Sequence, residues 1–173
     1  MKSILLTLLF TLATLSVATA QTCQTDTIVA SAPTERFTDN GDGTVTDDAA
    51  GLMWKICSEG QTYEAGDCLG SVVAYSWQGA LQRAAAVNAA GFAGHDDWRL
   101  PNHKELASIV ERQCVDPAIN LEVFPATPSH YVWSASPSAG DSDAAWSVHF
   151  YYGFGYVFDK SSTFVVRLVR GGQ

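Results

Sequence analysis

Residues 95–105 read HDDWRLPNHKE. Two carboxylates, a Trp, an Arg and a Pro stand directly before a helix start. Side chains alternate along an extended chain, so Trp98 and Leu100 face one way and Arg99 the other. Pro101 ends the extended segment. Asn102 to Glu105 has the form of a capping box, in which the Asn102 side chain accepts from the third helical amide and Glu105 reaches back to the cap's own amide. Arg99 and Glu105 are then placed to pair across the corner. Asp96 and Asp97 point opposite ways and cannot share a proton, so one is read as solvated and the other as bonded to backbone or to Arg99. The stretch reads as a structural corner made by Asp97, Trp98, Arg99, Pro101, Asn102 and Glu105.

Beyond the corner, Leu106, Ile109, Val110 and Cys114 line one face of a second helix. Before it, residues 76–92 (SWQGALQRAAAVNAAGF) predict a first helix. Ser76 caps it, Trp77, Ala80, Leu81, Ala84 and Val87 recur at helical spacing, and Gly91 stops it. So many alanines imply close packing against something large. Further upstream, residues 36–54 (RFTDNGDGTVTDDAAGLMW) read as a small meander turning at Asn40-Gly41, Asp42-Gly43 and Asp47 to Gly51. A calcium loop is the competing reading, but counting from Asp39 puts Gly41, Gly43 and Ala50 where oxygen ligands belong. Residues 58–75 read as irregular. After Tyr131, the runs YVWSAS, AWSVHFYY, GYVFD and FVVRLVR are aromatic or β-branched and predict antiparallel strands. The whole is one α+β domain with two helices before a β-rich half.

The first 20 residues have a basic start at Lys2, an apolar run from Ile4 to Val17 and the small-x-small end Ala18-Thr19-Ala20. They are read as a signal peptide. Residues 21–35 are a loose polar lead-in and residues 36–173 the domain. Cleavage removes Lys2 and moves the net charge from −8 to −9. A surface of that sign repels nucleic acid and anionic lipid, and no basic run offsets it. No membrane insertion is expected after cleavage. Export brings four cysteines into an oxidising compartment. Three pairings are open. The expected one joins Cys57 to Cys68 across a short polar loop and Cys23 to Cys114, tying the N-terminal arm to the body. No CxxC, HxH, HExxH or GxSxG spacing occurs, so neither a metal nor a cofactor is expected.

Two functional clusters remain. Trp133, His149, Tyr151, Tyr152, Tyr156 and Asp159 gather on late strands and a Gly-rich turn, where exposed Tyr and His make a recognition surface. Alternation puts Trp146, Val148 and Phe150 on one face, and Ser147, His149 and Tyr151 on the other. An enzyme would instead need scattered groups such as His95, Asp96 and His149 to converge in a concave site.

GDGTVTDxxxGLMW, the Ala-rich helix, GHDDWRLPNxxEL, AINxxxFP, AWSVHF and the closing VRLVR occur in this order over residues 36–170. The series resembles the C-terminal domain of the Legionella collagen-like protein. The resemblance implies the C-type-lectin-like fold of the formylglycine-generating-enzyme group, with two helices packed on a twisted antiparallel sheet and long loops. It also implies a bacterial surface or periplasmic protein that binds glycan or a cell-surface protein. This chain lacks the Gly-X-Y repeat, the EPN, QPD and WND sugar motifs, and a match to the enzyme's free cysteine pair. Leu168 stands where many members have Cys. A non-enzymatic binding or adhesion domain is therefore expected, with an enzyme of that fold group or a structural envelope protein as alternatives.

Overall fold

A computed structural model describes residues 21–171; the expected signal peptide lies outside the described residues. The elements run β1 (Thr22–Cys23), β2 (Phe37–Asp39), β3 (Thr44–Asp47), β4 (Leu52–Lys55), β5 (Thr62–Glu64), β6 (Asp67–Leu69), β7 (Ala74–Tyr75), α1 (Trp77–Ala89), α2 (His103–Ser108), β8 (Cys114–Val115), β9 (Tyr131–Pro137), β10 (Ala144–His149), β11 (Phe154–Asp159), β12 (Phe164–Val165) and β13 (Val169–Gly171). They form a mixed α+β structure with two α-helices among the described residues. Its larger sheet has the order β11-β10-β9-β12-β7, and a second has the order β13-β4-β3-β2. Two small ribbons, β1-β8 and β5-β6, complete it. No described helix is long and apolar enough to cross a membrane.

Period-two alternation divides the core. On one face of the larger sheet, Val132, Val148, Phe150 and Val165 meet Leu106, Ile109 and Val110, together with Val45 and Trp54 of the second sheet. On the other face, Trp133, Ala145 and Phe164 share a core with Ala80, Ala84 and Val87 of α1, and with Trp98 and Leu100 of the corner. Alanine at the contact lets the helix axis approach, and the tryptophans fill the space, as the alanine-rich pattern requires. Leu81 is the exception on that stripe and is exposed.

Both helix starts match the sequence. The Ser76 hydroxyl accepts from the Gly79 amide, and Asn102 and Glu105 form the complete capping box. Gly91 adopts the left-handed conformation after α1. The second helix is shorter than its pattern suggested: it ends at Ser108, and Cys114 lies in β8. Ile109 and Val110 are still buried, so the apolar spacing reports burial beyond the helix rather than helix.

Three further expectations need correction. Residues 58–75 contain β5, β6 and β7 instead of irregular chain. The lead-in is held by more than the expected Cys23 bridge: Ser31 and Ala32 donate to the buried Glu111 carboxylate, and β1 pairs with β8. The run 164–170 is two short strands in different sheets, and β12 joins β9 in parallel through one residue pair. The disulfides are the expected Cys57–Cys68 and Cys23–Cys114. Leu168 is fully buried and apolar where a cysteine would have offered another pairing.

Candidate functional site

The corner of residues 95–105 is a junction of four elements. Trp98 and Leu100 are buried, each 2 % exposed, while Arg99 turns aside. Asn88 of α1 holds the Trp98 backbone from both sides, accepting from its amide at 2.7 Å and donating to its carbonyl at 2.8 Å. Arg99 exchanges backbone bonds with Val169, each 2.9 Å. Its guanidinium donates to both Glu105 oxygens at 2.8 Å and to the Gly171 carbonyl at 2.7 Å. The Pro101 carbonyl accepts from Ala135 of β9. Burial opposes ionisation of Glu105, but Arg99 and the Asn102 amide outweigh it and hold the carboxyl below its usual range. One expected partner was wrong: Asp97 pairs with Arg170, at 2.6 Å, and not with Arg99. The Arg170 hydrogen bond is what keeps the Asp97 carboxyl low.

The late strands build an aromatic cluster at one end of the larger sheet. In register, His149 stands opposite Tyr131 and Phe154, and Ser147 opposite Trp133 and Tyr156. The Tyr131 and His149 rings stack at 4.0 Å and 16°. Tyr156 meets Tyr131 edge-on at 5.6 Å, and Tyr151 meets Tyr152 at 4.3 Å. Desolvation, then the His130 charge, pull the His149 imidazole below its ordinary value, so it is neutral at pH 7. The hairpin tip is fixed by backbone bonds from Asp116 to the Tyr151 carbonyl and from Ala118 to the Phe150 carbonyl. Tyr152, Phe154 and Tyr156 are 54 %, 58 % and 39 % exposed. They border the outer edge of β11, the end strand of its sheet.

Two residues expected in this surface lie elsewhere. Trp133 is completely buried, with its indole N–H donating to the Tyr75 carbonyl, so it offers no face to a ligand. It shares the Tyr156 side of the sheet, but α1 covers that side farther along the strand. Asp159 lies at the opposite end of the β10–β11 pairing from the hairpin tip, opposite Ala144. It caps the next turn by accepting from the Ser161 amide, and the Ser161 side chain first and that amide second hold its carboxyl below the ordinary value. Tyr131 was missed, although it completes the stack. Its alternation with Trp133 puts the two on one face, and only the strand register sets Tyr131 against His149.

The other candidate groups are occupied differently. His95 packs edge-on against Trp98, Asp96 is exposed, and His149 belongs to the Tyr131 stack; the two histidines share no ring partner. Asp39 and Asp42 accept from the amides of Gly41 and Thr44, which makes residues 39–44 a hairpin turn. No cluster of three His, Cys, Asp or Glu side chains suited to a metal occurs among the described residues.

A buried ionic group was not anticipated. Glu59, 1 % exposed, accepts from Lys55 and from Arg83, each at 2.6 Å. Behind it, Arg167 is buried and donates to the carbonyls of Lys55 and Ile56 and to the hydroxyls of Ser58 and Thr127. Burial pulls the Arg167 guanidinium down to about 9, with Glu59 opposing, so it remains charged at pH 7. The only hint in the sequence is a lone Arg inside the apolar run FVVRLV.

A family model described as the Lcl C-terminal domain matches residues 43–170. The match begins at Gly43, inside the β2–β3 turn, rather than at Arg36. No curated protein matches the chain. The match runs from β3 into β13, includes the corner and the aromatic cluster, and covers well over half of the sequence. The chain belongs to the Lcl C-terminal domain family.

Proposed function

We propose that this protein is an exported, non-enzymatic recognition module of C-type-lectin-like architecture. Its binding face is the aromatic cluster of Tyr131, His149, Tyr151, Tyr152 and Tyr156, and its ligand a glycan. The observation that carries this reading is the pair of exposed rings, Tyr152 and Tyr156, at a braced hairpin tip beside the half-buried Tyr131–His149 stack. Flat ring faces accept the C–H face of a sugar, while phenol and imidazole edges supply hydrogen bonds. The rings lose little freedom on binding because the tip is already held by the 116–118 backbone. Two disulfides suit an oxidising compartment, the periplasm or cell surface of a bacterium.

A glycan array of the oxidised protein, run at low and physiological salt, tests the reading. Saturable binding that a Tyr152→Ala/Tyr156→Ala double variant loses is the expected result. Binding that survives the double variant would remove this face from the proposal. A protein partner is the second reading, favoured by the free edge of β11 beside exposed Phe154 and Val157. An extended partner segment can add to such an edge.

A further inference from the structure

A concave site lies apart from the aromatic cluster and shares no residue with it. It is a groove of about 560 Å³ lined by the turn at Gly41–Gly43, by Lys55 at the end of β4, by Cys57 and residues 61–63 of the disulfide loop, by Arg83 of α1, and by Phe92. Its apolar wall is close-built. A Cβ on Gly43 would lie 3.4 Å from Tyr63 and 3.5 Å from Phe92, and Gly43 has a left-handed φ of +86°. Any larger residue there is strained and would narrow the floor between the two rings.

The cations of this groove are not used up by their internal partner. Glu59 sits behind the lining and takes one bond from each of Lys55 and Arg83. An ammonium has three donors and a guanidinium five. Lys55 gives one to Glu59 and rests over the Phe92 ring at 4.2 Å; its side chain is only 10 % exposed. Arg83 gives its Nε, and its two terminal nitrogens bond no other group among the described residues. Lys55, Arg83 and Asp42 are the charged residues of the lining, and Glu59 lies behind them. Asp42 accepts from the amide and hydroxyl of Thr44 on its Oδ1, which orients the carboxylate toward its own turn. Asp39 lines a separate cavity on the other side of Tyr63. A chain of net charge −8 thus keeps a groove whose wall presents idle, preorganised guanidinium donors.

We propose that this groove binds a small organic acid, with its carboxylate on the free donors of Arg83 and Lys55 and its flat apolar body between Phe92 and Tyr63. A bidentate guanidinium–carboxylate contact fits the planar end of such a ligand. A tetrahedral oxyanion would use the cations but leave the aromatic walls uncovered.

Sodium benzoate is the probe, titrated into the oxidised full protein at constant ionic strength and followed by ¹H–¹⁵N spectra that include the arginine Nε–H signals. The expected result is saturable binding with a Kd on the order of 1 mM. The Arg83 Nε–H signal should move, and Arg83→Gln should weaken binding about tenfold. Benzamide, of the same shape without the charge, should not compete. Binding of benzamide as tight as benzoate would overturn the carboxylate contact without any variant. Sulfate as tight as benzoate would overturn the organic-acid reading, and no saturation up to about 50 mM benzoate would overturn the site itself. The glycan readout concerns another face, so either proposal can fail alone.

Discussion

Replacing Glu59 by Gln isolates the cost of losing a buried carboxylate that bonds two cations. The backbone of Glu59 is fixed independently: its amide donates to Val166 at 2.8 Å, and its carbonyl accepts from Val73 at 2.9 Å. The substitution keeps size and removes charge. Lys55, nearly buried, then loses its counter-charge, and the amide N–H₂ of Gln faces a cation. Breaking a buried pair by removing one partner costs about 3–5 kcal/mol. The Arg83 side chain is 38 % exposed, so its share is discounted for solvent screening. The expected loss is about 3 kcal/mol, or roughly 9 °C in Tm for a chain of this size. Urea unfolding at pH 7, followed by near-ultraviolet circular dichroism with both disulfides intact, reads it out, and the slope m should stay constant. Arg83→Gln alone should cost about 1 kcal/mol or less. The double change Lys55→Met/Glu59→Leu should recover only part of the Glu59→Gln loss, because it removes the unpaired Lys55 charge but leaves the buried Arg167 guanidinium without the Glu59 carboxylate. A loss under about 1 kcal/mol for Glu59→Gln would refute the argument, since the carboxylate would then not be neutralising buried charge.

Three other outcomes follow from the geometry. The Glu105 carboxyl is held below its ordinary 4.5, so its contribution is complete above that pH and is lost as pH falls through the lower folded value. The urea midpoint of Glu105→Gln should therefore fall less between neutral pH and about pH 3 than that of the parent, and equal slopes would count against the Arg99 pairing. The His149 imidazole should titrate below 6.5 by NMR, and stability should drop as pH falls beneath that value because the folded state binds the proton less well. A value above 6.5 would mean that the Tyr131 stack does not shield it. Gly153→Ala places a methyl inside the contact distance of Val110 Cγ1 at a backbone φ of +76°. It should cost about 3 kcal/mol by urea unfolding and loosen the Tyr151–Tyr152 tip, whereas a neutral result would show that the tip can yield.

What was legible in the sequence was local. Ser76, Asn102 with Glu105, and Gly91 mark helix ends because capping bonds reach only three or four residues. Alternation assigned Trp98 and Leu100 to the core and Arg99 to the outside, since successive side chains of an extended chain face opposite ways. The helix spacing over Leu106, Ile109 and Val110 identified buried positions but overran the helix. Apolar periodicity reports which residues are covered and not the backbone that carries them.

The tertiary structure alone decided which strands meet. The turn-rich meander of residues 36–55 is closed by β13 from the far end of the chain, and the FVVRLVR run is divided between two sheets. The candidate sites depend on those meetings. Tyr131 reaches His149 through register. Trp133, one alternation farther, disappears beneath α1. Glu59, Arg83 and Arg167 come together from three separated segments. Sequence spacing fixes contacts within a turn or along a strand, but pairing across 100 residues is chosen by how all the apolar faces are buried at once. The corner at residues 95–105 was therefore readable from its own letters, while the candidate faces assembled from distant segments were not.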